Sequence, residues 1–272
     1  MRSGDAIMIE VEPGVSLAVE ASPDIDDRAR PAILFSHSLA ADSGMWDELR
    51  QRLAPHARLI LADTRGHGRS SAPAAPYTLD RLGLDAVAVL DALGIDRAVI
   101  CGLSLGGLVG QWLGIYRPER IAGLALANTA SSFPPPSLWQ DRAKQVLASG
   151  LPPFVAPTLG RWLTERFQAA NPARTAEIAA TIAATSRQGY AGCCTVLADS
   201  DLSPSLSAIA CPTIVLAGWH DPSTTPAQAA TLTSAISGAK LIELDAAHLS
   251  AVEAPEAFAQ AIISFLPAAA GR

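Results

Sequence analysis

The chain has 272 residues, of which 49% are apolar and only 17% are charged, and its net charge is −6 at pH 7. This length and composition allow one large α/β domain with a sizeable core and exclude disorder along the whole chain. Because the balance is acidic and no basic run occurs, nucleic acid and anionic membranes are poor partners.

Membrane and export signals are absent from the sequence. The first ten residues lack an apolar signal core, and no apolar run reaches the length of about eighteen residues that a membrane span needs. The four cysteines lack metal-ligand spacing. We therefore expect a cytoplasmic protein with reduced thiols; the sequence gives no signal of oligomeric state.

Strand and helix patterns alternate along the first half of the chain. Residues 7–11 and 15–20 flank Pro13-Gly14, which is typical of a hairpin. Short apolar runs then alternate with helical patterns, in the order 32–35, helical 45–53, 59–62, helical 78–94, 98–101, helical 108–113 and 121–127. This βαβ rhythm predicts an α/β fold with a mostly parallel central sheet and helices on both faces.

The rhythm stops at Ser131. From residue 131 to 203 the chain is rich in Pro, Ala and Arg, and its periodicity is helical with no strand run. Strand patterns resume at 213–217 and 240–244, and a helix over 255–265 follows. The sequence therefore predicts a core made of residues 1–130 and 204–272, with residues 131–203 inserted as a helical cap.

The segment Gly102-Leu103-Ser104-Leu105-Gly106 lies between a strand run and a helical pattern. A serine on such a sharp turn is typical of a nucleophile elbow, in which the small flanking residues let strand and helix pass closely. The motif alone also occurs around ordinary turn serines, but the flanking strand and helix favour Ser104 as a nucleophile.

Two further strand ends carry reactive side chains. Asp221 follows the run at 213–217, and His248 follows the run at 240–244. Ligands bind at the carboxyl ends of parallel strands, so Ser104, Asp221 and His248 are predicted to form a catalytic triad with His248 as general base. Asp245 and Asp201 remain alternative acids, while the end of the run at 121–127 offers no carboxylate.

A fourth strand end, Phe35-Ser36-His37-Ser38-Leu39, lies where an oxyanion-hole loop belongs. We expect the backbone N–H groups of Leu105 and Leu39 to bind the oxyanion, with Ser38 as the alternative to Leu39. No metal-binding or dinucleotide-binding motif occurs, so no metal and no cofactor is expected.

These motifs together resemble those of the α/β-hydrolase superfamily. Within it, four stretches of the chain, one of them near the end of the cap, resemble 3-oxoadipate enol-lactonases. The matching stretches are residues 35–39, 106–114, 190–194 and 245–253. The resemblance implies a small-molecule substrate: a serine hydrolase would open an enol-lactone ring in the degradation of aromatic acids. A general carboxylesterase or cofactor-free perhydrolase is the alternative enzyme, and a small-molecule receptor that retains the triad is the alternative of another class.

The implied lactone carries a carboxylate, so its pocket is expected to hold a cation or several hydrogen-bond donors. Arg142, Arg161 and Arg166 in the cap are candidates, and we favour Arg142 because Trp139 precedes it by nearly one helical turn. Ser38, Trp139 and Arg142 are therefore predicted to contact the substrate.

Overall fold

The computed structural model describes residues 6–270, in which eight strands form one sheet. The strands are β1 (Ile7–Glu12), β2 (Val15–Ala21), β3 (Ala32–Ser36), β4 (Arg58–Ala62), β5 (Ala98–Leu103), β6 (Ile121–Ala127), β7 (Thr213–Gly218) and β8 (Lys240–Leu244). Their order is β1-β2-β4-β3-β5-β6-β7-β8, and all neighbours from β4 to β8 are parallel. The strands β1 and β2 form an antiparallel hairpin, and β2 also pairs antiparallel with β4.

Eleven α-helices connect or follow these strands in the described part of the chain. They are α1 (Asp47–Leu53), α2 (Leu79–Ala92), α3 (Leu105–Tyr116), α4 (Pro136–Ser149), α5 (Val155–Trp162), α6 (Glu165–Ala170), α7 (Pro172–Ala184), α8 (Arg187–Asp199), α9 (Pro226–Ala235), α10 (Ser250–Glu253) and α11 (Pro255–Ala270). Within residues 6–270, no helix is long and apolar enough to cross a membrane.

Helices cover both faces of the sheet. A Cβ added at Gly110 of α3 would meet Leu124 and Leu126, whereas one added at Gly123 would meet Phe265 of α11. Residues 123 and 124 point to opposite faces of β6, so α3 and α11 pack on opposite sides. Every residue of β5 and β7 is buried, as expected for parallel strands covered on both faces. The predicted fold class is confirmed.

The helices α4–α8 all lie between β6 and β7 in the chain. The two ends of this segment meet: Ser132 bridges Asp201, and the Leu202 N–H donates to the Ser131 carbonyl at 2.9 Å. Helix α8 rests directly on the sheet domain, because Gly189 and Gly66 approach so closely that a Cβ on either would overlap the other's backbone. The first and last residues of the predicted core, 1–5 and 271–272, lie outside the described residues.

The strand register aligns the carboxyl ends on which the candidate site depends. Ser36 pairs with Gly102, Leu103 pairs with Ala127, and Gly218 pairs with Leu244. The loops that follow β3, β5, β6, β7 and β8 therefore leave the sheet at one edge.

Candidate active site

Ser104 occupies a strained turn between β5 and α3, with φ 57° and ψ −114°. Its backbone is held on both sides: its N–H donates to the Ala127 carbonyl at 3.0 Å, and its carbonyl accepts from the Thr129 hydroxyl at 2.7 Å. A Cβ at Gly102 would lie 2.2 Å from the Gly106 carbonyl oxygen, so only glycine at position 102 permits this turn. The elbow predicted from the motif is present.

His248 and Asp221 meet at this edge of the sheet. The His248 Nδ1 lies 2.8 Å from Asp221 Oδ2, and both side chains are almost fully buried. A carboxylate accepts, so the neutral form of the imidazole carries its proton on Nδ1, and Nε2 is then the atom that can take a proton from a nucleophile. The structure thus brings together the acid and base that the strand ends predicted.

The Asp221 carboxylate is surrounded by hydrogen-bond donors. Oδ1 accepts from the N–H groups of Ser223 at 2.7 Å and Thr224 at 3.1 Å, and Oδ2 accepts from the Thr224 hydroxyl at 2.6 Å. Burial alone would raise the pKa of Asp221, but the His248 charge and the hydrogen bonds from His248, Thr224 and Asn128 outweigh it and lower that pKa to about 2. Asp221 is therefore ionised at any working pH.

Asn128, directly after β6, links the acid to the histidine loop. Its amide nitrogen donates to Asp221 Oδ2 at 2.9 Å and to the Ala247 carbonyl at 3.2 Å, while its amide oxygen accepts from the Ser250 hydroxyl at 2.5 Å. In the sequence, this strand end is marked only by its lack of a carboxylate. Its contacts show that the amide is a fixed donor to the acid from the neighbouring strand.

Two buried histidines shape the loop after β3. His67 Nε2 accepts the Ala40 N–H at 3.0 Å, and His37 Nε2 accepts the Thr64 N–H at 2.9 Å. Because a backbone N–H always donates, both Nε2 atoms are unprotonated, and both Nδ1 atoms face carbonyl oxygens, that of Arg65 for His67 and that of Ser38 for His37. Ala40 has φ 65°, so His67 holds a left-handed residue directly after Leu39.

Protonation of His67 is disfavoured in the folded protein. Burial, followed by the nearby His37, lowers the pKa of His67 to about 3. In the unfolded chain, His67 takes up this proton near pH 6.5. As the pH is lowered from 6.5 to 3, the free energy of unfolding therefore falls by up to about 1.4 kcal/mol per pH unit because of His67. The matched variant is His67→Gln, whose amide oxygen can still accept the Ala40 N–H. In urea unfolding between pH 6.5 and 3, the slope of its free energy of unfolding against pH is expected to be smaller, by the amount that corresponds to uptake of about one proton. Equal slopes in both proteins would contradict this assignment.

Trp162, at the end of α5, lies over the imidazole of His248. Their ring centroids are 6.4 Å apart with 29° between the planes, and the Leu249 N–H donates to the Trp162 carbonyl at 2.9 Å. Sequence reasoning did not identify Trp162, because no motif or periodicity marks it. One face of the candidate base is thus covered by the helical insertion.

The predicted substrate-contact residues lie in three different settings. Ser38 is buried in the loop after β3, where its carbonyl accepts from His37 Nδ1 at 2.8 Å. Trp139 is half-buried and donates to the Phe133 carbonyl at 2.8 Å. Arg142 donates to the Tyr190 hydroxyl at 3.3 Å and stacks over Phe154.

The two alternative acids have other partners. Asp245 pairs with His220 and Arg166 at the surface, and Asp201 accepts from the Ser203 N–H in a turn. Among residues 6–270, no three His, Cys, Asp or Glu side chains are grouped so that they could hold a metal ion.

Comparison with known proteins shows to which family the chain belongs. A family model for the alpha/beta hydrolase fold matches residues 31–255. The chain is 42% identical to 3-oxoadipate enol-lactonase 2 of Acinetobacter baylyi, over 86% of this chain and 87% of the relative. A crystal structure of a hydrolase from Pseudomonas aeruginosa superposes with a TM-score of 0.93 at 38% identity, covering 97% of this chain and 99% of that one.

A second solved structure, the enol-lactonase from Burkholderia xenovorans, superposes with a TM-score of 0.91 at 36% identity, covering 95% of this chain and 99% of that one. The matches extend across both the sheet and the helical insertion. The chain belongs to the alpha/beta hydrolase family.

Proposed function

We propose that this protein is a serine hydrolase that opens the ring of 3-oxoadipate enol-lactone. The observation that carries the hydrolase assignment is the buried His248–Asp221 hydrogen bond at the sheet edge where the Ser104 elbow lies. The substrate class is supported by the similarity to proteins named as enol-lactonases.

In the first half-reaction, Ser104 Oγ attacks the lactone carbonyl carbon while His248 Nε2 takes the hydroxyl proton. The ring C–O bond then breaks, and His248 returns the proton to the departing enol oxygen. The enol becomes the more stable ketone, which draws the ring opening forward. Asp221 keeps the imidazole in the required tautomer and stabilises its charged form.

In the second half-reaction, water attacks the acyl carbon attached to Ser104 and gives its proton to His248. The Ser104 oxygen departs and recovers that proton, which leaves a free dicarboxylate product. No redox step or external co-reactant other than water is needed, so the proposal invokes no cofactor.

The oxyanion of each tetrahedral intermediate would bind to the N–H groups of Leu105 and Leu39. Leu105 is the first residue of α3, where an N–H has no acceptor within the helix and the helix dipole favours negative charge. Leu39 precedes Ala40, whose own N–H is already bound to His67. The Ala40 N–H is therefore not free to be the second donor, and this supports the N–H of Leu39.

A negatively charged substrate is supported by two arginines of the insertion. Arg142 contacts the Tyr190 hydroxyl, Arg161 contacts the Thr158 hydroxyl, and neither has a carboxylate partner within the described residues. Burial, followed by the charge of Arg142, lowers the pKa of Arg161. Two neighbouring guanidinium groups without a counter-charge form a site for a carboxylate. Arg166, by contrast, is already paired with Asp245.

Arg142→Ala is expected to raise KM for the carboxylate-bearing enol-lactone by tenfold or more, about the 1.5–3 kcal/mol of a charge-assisted hydrogen bond. The KM for p-nitrophenyl acetate, which has no carboxylate, should stay within about twofold. Arg166→Ala is the matched control and should change neither value. An equal rise in KM for both substrates in Arg142→Ala would remove Arg142 from carboxylate recognition.

The proposed function is tested by comparing kcat/KM for 3-oxoadipate enol-lactone, a saturated γ-lactone and p-nitrophenyl acetate. We expect the enol-lactone to be preferred by at least about a hundredfold. A preference for the simple ester would identify a general carboxylesterase. Stoichiometric retention of a ligand without turnover would identify a receptor.

We also propose that residues 131–203 act as a lid over this site and that the protein works in the cytoplasm. The lid is supported by the contact of Trp162 with His248 and by the meeting of the two ends of the insertion. The location is supported by the free state of all four cysteines.

A further inference from the structure

Glu253 connects two segments that are distant in sequence. One carboxylate oxygen, Oε2, accepts the Ala247 N–H at 2.6 Å, directly before His248. The other, Oε1, accepts both the N–H and the hydroxyl of Thr164, at 3.1 and 2.5 Å. Thr164 belongs to the helical insertion, so a single side chain holds the histidine loop and the insertion together.

The contact made by Glu253 lies beside others between the same two segments. The Leu249 N–H donates to the Trp162 carbonyl, and the Trp162 ring covers that of His248. Residues 162–164 are therefore attached to residues 247–249 through backbone, ring and carboxylate contacts. A shift of either segment would move the other.

The backbone of Ala247, directly before His248, is held on both sides. The Ala247 N–H donates to Glu253, and the Ala247 carbonyl accepts from Asn128 at 3.2 Å. Asn128 is also bonded to Asp221. The position of the imidazole is thus set by Asp221 at Nδ1 of the ring and by the held backbone of Ala247 at the start of the His248 residue.

We propose that Glu253 is a positioning residue that ties the segment 162–164 to the loop carrying His248 and so presents the imidazole to Ser104 in one orientation. This inference rests on the proposed role of His248 as the general base. Glu253 touches neither substrate nor the reacting atoms; it acts through the Ala247 peptide and Thr164.

The site requires a carboxylate because everything around it donates. Ala247 supplies an N–H, and Thr164 supplies an N–H and a hydroxyl. The Thr164 hydroxyl oxygen accepts the Phe167 N–H at 3.2 Å, which leaves its hydrogen directed at Glu253. The amide of a glutamine would turn an NH₂ group towards at least one backbone N–H, whichever way it is oriented.

The test is the rate at which diisopropyl fluorophosphate modifies Ser104 in wild type and in Glu253→Gln. In this reaction Ser104 Oγ bonds to phosphorus, fluoride leaves and His248 takes the hydroxyl proton, so the rate reports the orientation of the base and needs no carboxylate-binding pocket. We expect modification and kcat for p-nitrophenyl acetate to fall together, by about ten- to a hundredfold. KM should change by less than about twofold, and rates are measured well below the unfolding temperature.

Glu256→Gln is the matched control, since Glu256 lies nearby on α11, is exposed and, among the described residues 6–270, pairs only with Arg52. It should react at the wild-type rate. If Glu253→Gln also reacts at the wild-type rate, Glu253 contributes to stability alone and the proposal is overturned. If wild type itself resists the reagent, the serine-hydrolase proposal fails, which separates the two failures.

If Glu253→Gln does not fold, two variants at Thr164 test the same proposal. Thr164→Ser keeps the hydroxyl that donates to Glu253, and Thr164→Val removes it at similar volume. We expect Thr164→Val, but not Thr164→Ser, to slow the modification of Ser104. Equal rates in the two variants would overturn the proposal.

Discussion

Ser104→Ala is expected to lose nearly all hydrolysis while keeping its fold. Loss of the nucleophile of a serine–histidine–aspartate site lowers kcat by about 10⁵- to 10⁶-fold, because the remaining groups supply only binding and oxyanion stabilisation. The hydroxyl makes no contact on which the elbow depends, since the backbone is held by Ala127 and Thr129. The measurement is kcat for the enol-lactone and for p-nitrophenyl acetate, with thermal unfolding of the same sample.

Ser104→Gly separates the chemistry from the strain of the turn. At φ 57° and ψ −114°, glycine is less strained than alanine, so the glycine variant should unfold at a higher temperature than Ser104→Ala. Both variants should be equally inactive. Retention of more than about one percent of kcat in Ser104→Ala would contradict the assignment of the nucleophile.

Asp221→Asn is expected to lower kcat by about 10⁴-fold, the loss typical of replacing the acid of such a triad by its amide. The pocket around this side chain contains only donors: the backbone N–H groups of Ser223 and Thr224, the Thr224 hydroxyl, the Asn128 amide and the imidazole N–H of His248. An amide must turn its NH₂ towards some of them. The imidazole would then lose its acceptor and its required tautomer.

The matched control for this change is Asp245→Asn. Asp245 also follows β8 closely, but it is half-exposed and pairs with His220 and Arg166 rather than with the site. Its kcat should stay within about twofold of wild type, as expected for a surface pair. Comparable losses in the two variants would mean that Asp221 is not the acid partner of His248.

The sheet and the strand-end positions of Ser104, Asp221 and His248 could be predicted because each depends on local sequence. β6 and β8 have the predicted bounds, 121–127 and 240–244. Each of these strands is an apolar run that a polar site residue follows, and the parallel register places the carboxyl ends of the strands at one edge of the sheet. The elbow is likewise local, since Gly102 and Gly106 are needed within two residues of Ser104.

Helix ends were predicted less well, because tertiary contacts set them. The helical pattern at 45–53 begins instead as a 3₁₀ turn, Ser43–Trp46, which Asp42 caps before α1 starts. The last helix was predicted to end at residue 265 but continues to Ala270. Its Phe265 and Ala269 pack against β6 at Gly123, a contact that the local pattern does not encode.

The supporting residues of the site could not be predicted for the same reason. Trp162 and Thr164 come from a part of the insertion that no motif marks, and they reach His248 and Glu253 only through the folded arrangement. Asn128 was noted for what it lacks, a carboxylate, while its role depends on the register between β6 and β7. Thr224 differs from these residues, because it lies only three positions after Asp221 in the sequence.

The central claim is that ring opening passes through an ester on Ser104. Acid quenching during turnover of 3-oxoadipate enol-lactone, followed by mass spectrometry of the peptides, tests it directly. The account predicts that the peptide containing Ser104 gains the mass of one intact lactone and that Ser104→Ala shows no gain. Continued turnover with an unmodified Ser104 peptide, or the same mass gain on another residue, would contradict it.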